Sequence, residues 1–446
     1  MISIGGIIGA GLFVGSSAAI AAVGPAIIVS YLLAGLVILF VMRMLGEMAC
    51  ANPGMGSFTE YARLGLGNWA GFVTGWLYWY FWVVVVAIEA IAGASIIAQW
   101  VPLPEWQIGL GLMVVLTIVN LMSTRSYGEF EFWFASIKVA AIIAFIVISA
   151  GYLIGYAPAS ASNLTAHQGF MPQGFVAVLS GITTVIFALC GAEIAIIAAA
   201  ESNESASAIS RLTVTILLRI VLFYVGSILL IVMVVPWNEI TPGFSPFVTA
   251  MGRIGIPGAS VIMNFVVLTA VLSCLNSGVY VTSRVLFTLA AHGDAPQSMV
   301  KLSKSRVPAR AILLGSSFGY GAVITAVISP SVVFAFLLNT SGAIMLIVYL
   351  IVAWAQIRQR QSMPPEAAAR LTVRMWFFPY ASWLVIAAIV AVLVAMIFTP
   401  DLASQLYASL FCTAVVLLAY AARRRKRPAA STPKTVGDLG VVDRGV

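Results

Sequence analysis

A chain of 446 residues that is 61% hydrophobic and only 9% charged cannot clothe a water-facing surface of normal size, because soluble domains carry about 25% charged residues. Its net charge of +8 raises nucleic acid as a partner, but the placement of that charge, taken up below, argues otherwise. The composition points into a lipid bilayer.

Apolar stretches follow one another along the chain, each close to the ~20 residues that cross the hydrocarbon core as a helix. They run over 1–22, 25–49, 71–99, 107–123, 133–155, 174–199, 212–235, 258–290, 311–329, 332–356, 376–398 and 402–421. The eighth is long enough to project past the membrane. None shows the alternating pattern of a barrel strand, and helices and closed barrels are the only spanning options. The expected fold class is therefore an all-α integral membrane bundle of about twelve transmembrane helices. No soluble domain fits between them, and the tail 422–446, rich in Ala, Arg, Pro, Thr and Gly, reads as disordered. No basic residue precedes the first span, which argues against a secretory signal.

With the first connection placed outside, every Lys and Arg except Arg253 falls in or beside one set of connections. That set includes Arg43, Arg63, Arg125, Arg211, Lys301, Arg310, Arg358 and Arg374, and the run Arg423 to Arg427 closes the last span. This is the positive-inside bias, and it places both termini in the cytoplasm of a multi-pass plasma (inner) membrane protein. The terminal basic run is then a membrane-surface anchor rather than a nucleic-acid site.

Cys50, Cys190, Cys274 and Cys412 lie in or at the ends of apolar spans without paired spacing, so they read as packing residues with no metal or disulfide framework. His167 and His292 fall in connections, which disfavours a histidine metal site or relay. Asn163-Leu164-Thr165 matches a glycosylation sequon, a pattern short enough to arise by chance.

Two spans look interrupted. The first contains Gly5-Gly6-Ile7-Ile8-Gly9-Ala10-Gly11, and the sixth contains Phe187-Ala188-Leu189-Cys190-Gly191-Ala192-Glu193. Glycine weakens a helix by about 1 kcal/mol relative to Ala, so such clusters let the backbone unwind. Small residues also serve close helix packing, and for one segment the two readings weigh equally. Two breaks five spans apart favour inverted repeats, 1–156 and 174–356, with two more helices over 376–421 and a substrate held at the broken helices.

Charge inside the bilayer costs ~2.5–3.5 kcal/mol on insertion scales and marks pathways or relays. Glu89 follows the run Val83 to Ile88 in the third span, Lys138 lies inside the fifth, and Glu193 sits just past the sixth-span break. Lys138 has the alternative of snorkelling to an interface; Glu89 has no such escape. Arg43 and Glu47, spaced i,i+4, read as an interfacial or gate ion pair. Freed N–H groups around Gly9-Ala10-Gly11 can hold the carboxylate of a zwitterion, and unpaired carbonyls of the unwound stretches can accept from its ammonium. Phe187, Trp79 and Trp82 could close such a cavity, whereas packing or an interface belt explains Trp76, Tyr78 and Tyr80. Ser273, Asn276 and Ser277 of the eighth span can line a path; they and Asn339-Thr340-Ser341 of the tenth can equally bond across helices.

These residues carry a resemblance. The stretches Gly9 to Ser16, Met42 to Ala49, Gly56 to Ala62, Gly75 to Trp79 and Tyr127 to Trp133 resemble the amino-acid permeases of the amino acid–polyamine–organocation superfamily. So do Gly191-Ala192-Glu193, Ala200-Glu201-Ser202, Ser273 to Ser277, Gly293 to Pro296 and Ser341 to Ile344, and the chain looks most like the bacterial GABA permeases. The resemblance implies a five-plus-five inverted repeat with two further helices. It implies that the first-span glycines Gly9 and Gly11, with Ala10, bind the substrate carboxylate, and that carbonyls near Ile7, Phe187 and Cys190 receive its amino group. Lys138 matches a fifth-span lysine that stands where sodium-driven cousins hold an ion, which implies proton coupling. Glu89 and Glu193 match acidic positions tied to coupling or gating, and Ser273 and Ser277 join them. The chain departs from the family at its start, where the usual basic lead-in is missing.

The expectation is a secondary transporter importing GABA or a related small amino acid with a proton, by alternating access, with no cofactor beyond that proton. A permease for another neutral or aromatic amino acid and an exchanger without net proton coupling are the alternatives. A membrane enzyme lacks a His/Cys/Asp constellation, and a primary pump lacks a G-x-x-x-x-G-K-[ST] loop.

Overall fold

The computed structural model describes residues 8–52, 55, 57–122, 127–155, 162–191, 193, 215, 218, 220–303, 305, 307–327 and 329–426. Ile7 and the 194–214 stretch, which includes Ala200-Glu201-Ser202, lie outside the described residues. Every regular element among the described residues is a helix. The third span, Asn68–Ile97, shows why. Its Val83 to Val86 run has high β-propensity, yet a lipid-embedded segment must satisfy its backbone internally, and a helix does so within itself.

The first span is helical over Ala10–Phe13 and Gly15–Val23, and the second over Ile27–Ala51, with Gly24-Pro25-Ala26 between them as one tight turn. The fourth and fifth spans are Glu105–Met122 and Tyr127–Gly155. The sixth runs from Gly174 to Leu189, and the seventh closes with Gly226–Val234. The eighth span, Ala259–Ala291, and the tenth, Pro330–Ser362, each hold 33 residues. At 1.5 Å per residue that is about 50 Å, well beyond a ~30 Å hydrocarbon core. The tenth span thus continues past the boundary at 356 expected from hydropathy. Ala309–Thr325, Tyr380–Ile397 and Pro400–Lys426 complete the bundle.

Burial separates a centre from a rim. The third span is the most enclosed of the long apolar helices, whereas the fourth, fifth and twelfth leave most of their apolar surface outward. Large side chains such as Trp133, Ile154 and Phe411 are exposed on that rim. Helices apolar on every side belong in a hydrocarbon solvent. The third span packs against the eighth and tenth, and the sixth against the first, second and tenth. The two interrupted spans therefore meet beside the most protected helix.

A short helix, Pro246–Ile254, sits in the connection between the seventh and eighth spans. Its buried Phe247 packs edge-on to Phe13 of the first span at 4.9 Å and lies 4.8 Å from Phe145 of the fifth. This aromatic cluster joins the first span to the fifth on the side of Arg253, whose exposed ion pair with Glu239 at 3.0 Å is worth little.

Candidate functional site: two broken helices around a buried carboxylate

The first break begins at Gly9, whose extended backbone hands over to the helix at Ala10. The Ala10 N–H has no helical acceptor and donates instead to both oxygens of Glu89, at 2.9 and 3.1 Å. Glu89 comes from the third span and is fully enclosed. Only glycine fits beside it: a Cβ on Gly9 would stand 2.5 Å from Glu89 Oε1 and 2.7 Å from Cys274 Sγ. A Cβ on Gly11 would lie 2.8 Å from the Ala188 backbone of the sixth span, so the two interrupted segments touch. A second irregularity at Val14 is closed by hydroxyls, Ser16 donating to Leu12 O at 2.5 Å and Ser17 to Val14 O at 2.6 Å.

The sixth-span helix ends at Leu189; Cys190 is extended, and Gly191 takes φ +103°, a left-handed value open to glycine. The Phe187 and Ile186 carbonyls accept the Cys190 N–H at 3.3 and 3.0 Å. Glu193 then folds back, accepting from Gly191 N–H at 3.0 Å, Tyr78 OH at 3.3 Å and Tyr349 OH at 3.2 Å. The Tyr349 hydroxyl also lies 3.7 Å from Cys190 Sγ. Each break thus carries a buried carboxylate on a backbone N–H.

Between the breaks lies a cavity of about 20 Å³ lined by Gly11, Phe81, Trp82, Val85, Glu89, Phe187, Cys190 and Cys274. That volume suits about one water, so an amino acid enters only when the walls move apart. The aromatic wall is Phe81, with Phe187 at 6.1 Å and Trp82 at 5.6 Å. Trp82 and Phe187 line the cavity as expected, but Trp79 does not. It packs against Trp76 at 5.4 Å and Phe318 at 5.5 Å in a separate cluster with Leu286 and Leu289. Tyr78, expected to pack or to sit in the interface belt, instead reaches Glu193. Cys190 and Cys274, expected as packing residues, supply thiols to the cavity wall, and Cys274 is hydrogen-bonded with Glu89.

Lys138 is fully buried and does not snorkel. Its Nζ donates to Ser273 Oγ at 3.0 Å, and Ser273 Oγ donates to Glu131 Oε2 at 2.9 Å. Ser277 Oγ donates to the same oxygen at 3.3 Å. Ser273 and Ser277 therefore meet the fifth span as a pair. Glu131 escaped the sequence reading because it stands before the apolar run, and only a helix starting at Tyr127 carries it inward. Asn276 turns elsewhere and accepts from Asn120 Nδ2 of the fourth span at 2.9 Å. In the tenth span Asn339 accepts from Thr184 at 2.5 Å, a cross-helix bond.

The basic end of the bundle is pinned by ion pairs. Glu47 makes no ion pair with Arg43 within 4 Å, although the i,i+4 spacing keeps the two within electrostatic reach. It meets Arg360 at 3.4 Å, Gln356 Nε2 at 2.8 Å and the Met375 N–H at 2.5 Å. Arg43 Nε donates to Arg374 O at 2.8 Å, and its guanidinium lies 4.6 Å from the centre of the Trp376 ring. Glu47 thus joins the second span to the tenth and to the chain leading to the eleventh. Nearby, the buried Asp294 takes Arg63 at 2.5 Å and Arg423 at 2.6 Å, while Trp76 Nε1 donates to its carbonyl at 3.1 Å. His292 lies 3.5 Å from Glu60 on the edge of this cluster. No group of three or more His, Cys, Asp or Glu side chains among the described residues could hold a metal ion.

Comparison with known proteins gives a consistent answer. The amino acid permease family model matches residues 1–431. A gamma-aminobutyric acid permease of Bacillus subtilis (strain 168) is 48% identical over 443 residues, covering 98% of this chain and 94% of that protein. A gamma-aminobutyric acid permease of Escherichia coli (strain K12) is 45% identical, covering 90% and 87%. An aromatic amino acid transport protein of Corynebacterium glutamicum is 38% identical, covering 91% and 89%.

Proposed function

Since this chain belongs to the amino acid permease family, we propose that, as a transporter of amino acids across a membrane, it imports GABA or a related small amino acid together with a proton. The carrying observation is the meeting of two interrupted spans at a cavity that holds Glu89. The named substrates of the two relatives most similar among those compared support GABA over an aromatic amino acid. The five-plus-five inverted repeat accounts for two breaks five spans apart, each with a carboxylate on an exposed N–H. The basic end of the bundle faces the cytoplasm of the inner membrane.

Glu89 occupies the Ala10 N–H that a substrate carboxylate would use. Two carboxylates cannot share that donor, because like charges at contact distance repel strongly in a low-dielectric site. A proton on Glu89 removes the conflict and weakens its hold on Ala10. The freed N–H then receives the substrate carboxylate, and carbonyls of the sixth-span break receive the ammonium. Proton and substrate thereby favour the same state, which is thermodynamic coupling. Phe81, Trp82 and Phe187 must part to admit the substrate, and their closure excludes water behind it.

Uptake of labelled GABA into proteoliposomes under an imposed pH gradient tests this reading against a panel of amino acids. Accumulation of GABA that vanishes with the gradient is expected. Accumulation that survives its collapse, with no counter-substrate inside, sinks proton symport; dependence on an internal amino acid instead would mark an exchanger.

A further inference from the structure

The fifth span carries a further buried carboxylate, Glu131, and the coupling scheme above gives it no task. Glu131 and Lys138 are seven residues apart on one face of Tyr127–Gly155, a separation along the axis of about 10 Å. Both are enclosed, Glu131 at 2% and Lys138 at 0% exposure. Glu131 is the nearer of the two to the start of that helix, at the basic end of the bundle. No direct ion pair joins them within 4 Å. Ser273 stands between, accepting from Lys138 Nζ at 3.0 Å and donating to Glu131 Oε2 at 2.9 Å. Among the described residues the other oxygen, Glu131 Oε1, is buried without a hydrogen-bond partner. A carboxylate oxygen held that way is costly unless a proton or cation visits it.

We propose that Glu131 is the proton exit of the coupling site, receiving from Lys138 through Ser273. This rests on the proton-symport reading above. In the transfer a Lys138 N–H bond breaks as Ser273 Oγ gains that proton, and the Ser273 O–H bond breaks as Glu131 gains the other. The ammonium and carboxylate become amine and carboxylic acid, so total charge is conserved. The neutral pair costs less to keep in a dry interior than the separated ions. Glu131 then releases its proton to water at the basic end, and the Lys138 amine regains one from protonated Glu89 on the cavity side, within electrostatic reach. Rotation of the Ser273 hydroxyl, with Ser277 able to hold Glu131 meanwhile at 3.3 Å, resets the relay.

Among the described residues the surroundings leave few competing groups. Glu89 and Cys274 lie within electrostatic reach of Lys138 on the side of the cavity. Tyr224 of the seventh span lies within reach of Cys274. Further along the eighth span come Tyr280 and Arg284, whose guanidinium lies 5.0 Å from the centre of the Tyr280 ring. The seventh-span helix packed on the fifth, Gly226–Val234, has no ionisable side chain. The short helix Pro246–Ile254 brings only Arg253, which pairs with Glu239.

Proteoliposomes bearing Glu131→Gln, Ser273→Ala and Ser273→Thr, with labelled GABA, test the relay. Gln keeps the shape and an acceptor but cannot take up and release a proton, so accumulation driven by the pH gradient should fall at least about tenfold while GABA–GABA exchange falls far less. Ser273→Ala should show the same split more weakly, and Ser273→Thr, which keeps the hydroxyl, should restore accumulation. Equal losses in both assays, or unchanged accumulation in Glu131→Gln, would overturn the relay. If Glu131→Gln does not fold, the Ser273 pair decides: Ala and Thr behaving alike would overturn it. A wild-type protein that ignores the pH gradient would instead refute proton symport itself, before any variant is compared.

Discussion

The two breaks solve one problem by different routes. In the first span the exposed Ala10 N–H is taken by Glu89, which stands 79 residues away on another helix. In the sixth the Gly191 N–H is taken by Glu193, two residues along the same segment, with Tyr78 and Tyr349 as further donors. The first arrangement makes the state of the break depend on the relative placement of two spans. The second is closed locally and needs only its own turn plus two hydroxyls. A carboxylate brought from elsewhere can be displaced as helices move, whereas a local one travels with its segment. The first break is accordingly the contact expected to open, and the sixth the one expected to persist.

The strongest way to break this contrast is Gly9→Val. Its side chain would enter the space of Glu89 Oε1 and Cys274 Sγ; overpacking of that kind costs about 1–3 kcal/mol. Uptake should be lost outright, and near-normal initial rates would mean that Gly9 does not lie against Glu89. Next comes Glu89→Gln. Its amide oxygen can still accept from Ala10, but it cannot take up a proton, so gradient-driven accumulation should fall about tenfold or more. Exchange should suffer less, and equal loss would assign Glu89 to binding or folding alone. Glu193→Gln should act on stability more than on coupling. Three donors lose a charged acceptor, and bonds to charged groups are worth about 1.5–3 kcal/mol each at most. A lowered Tm in detergent with accumulation and exchange reduced in step is the expected outcome; uncoupling like that of Glu89→Gln would erase the distinction. The smallest effect belongs to Tyr349→Phe, which removes one of the three donors from Glu193 at a cost of about 1.5–3 kcal/mol. A Tm drop as large as that of Glu193→Gln would show that Tyr349, not Gly191, holds the turn.

Hydropathy reveals the bundle because lipid demands long apolar helices and little else. The same simplicity makes Glu89, Lys138 and Glu193 conspicuous as charges among apolar neighbours, and it marks the first-span glycine cluster and the small-residue stretch of the sixth. What surrounds them was hidden. Phe81, Val85 and Glu89 recur at helical spacing on one face, but an aromatic run such as Tyr78 to Trp82 does not say which ring faces inward. The run alone therefore places Trp79 at the cavity and Tyr78 away from it, whereas Trp79 packs elsewhere and Tyr78 reaches Glu193. Cys274 looked like packing because its partner, Glu89, lies on another helix. Glu131 was masked by position, since a polar residue at the start of an apolar stretch normally marks a water boundary. Arg43 and Glu47 show the converse limit: spacing along one helix brings the two within electrostatic reach, but the close contact to Glu47 comes from Arg360, distant in sequence.

The Asp294 cluster has a practical consequence for handling this protein. Arg423 lies at the end of the twelfth span, yet it shares one carboxylate with Arg63, from the connection between the second and third. The last helix is thus a clasp as well as a membrane pass. Trimming the chain just ahead of Arg423 to tidy its basic end would leave Asp294 with a single guanidinium and slacken three distant segments together, whereas a tag placed beyond Lys426 leaves the clasp shut.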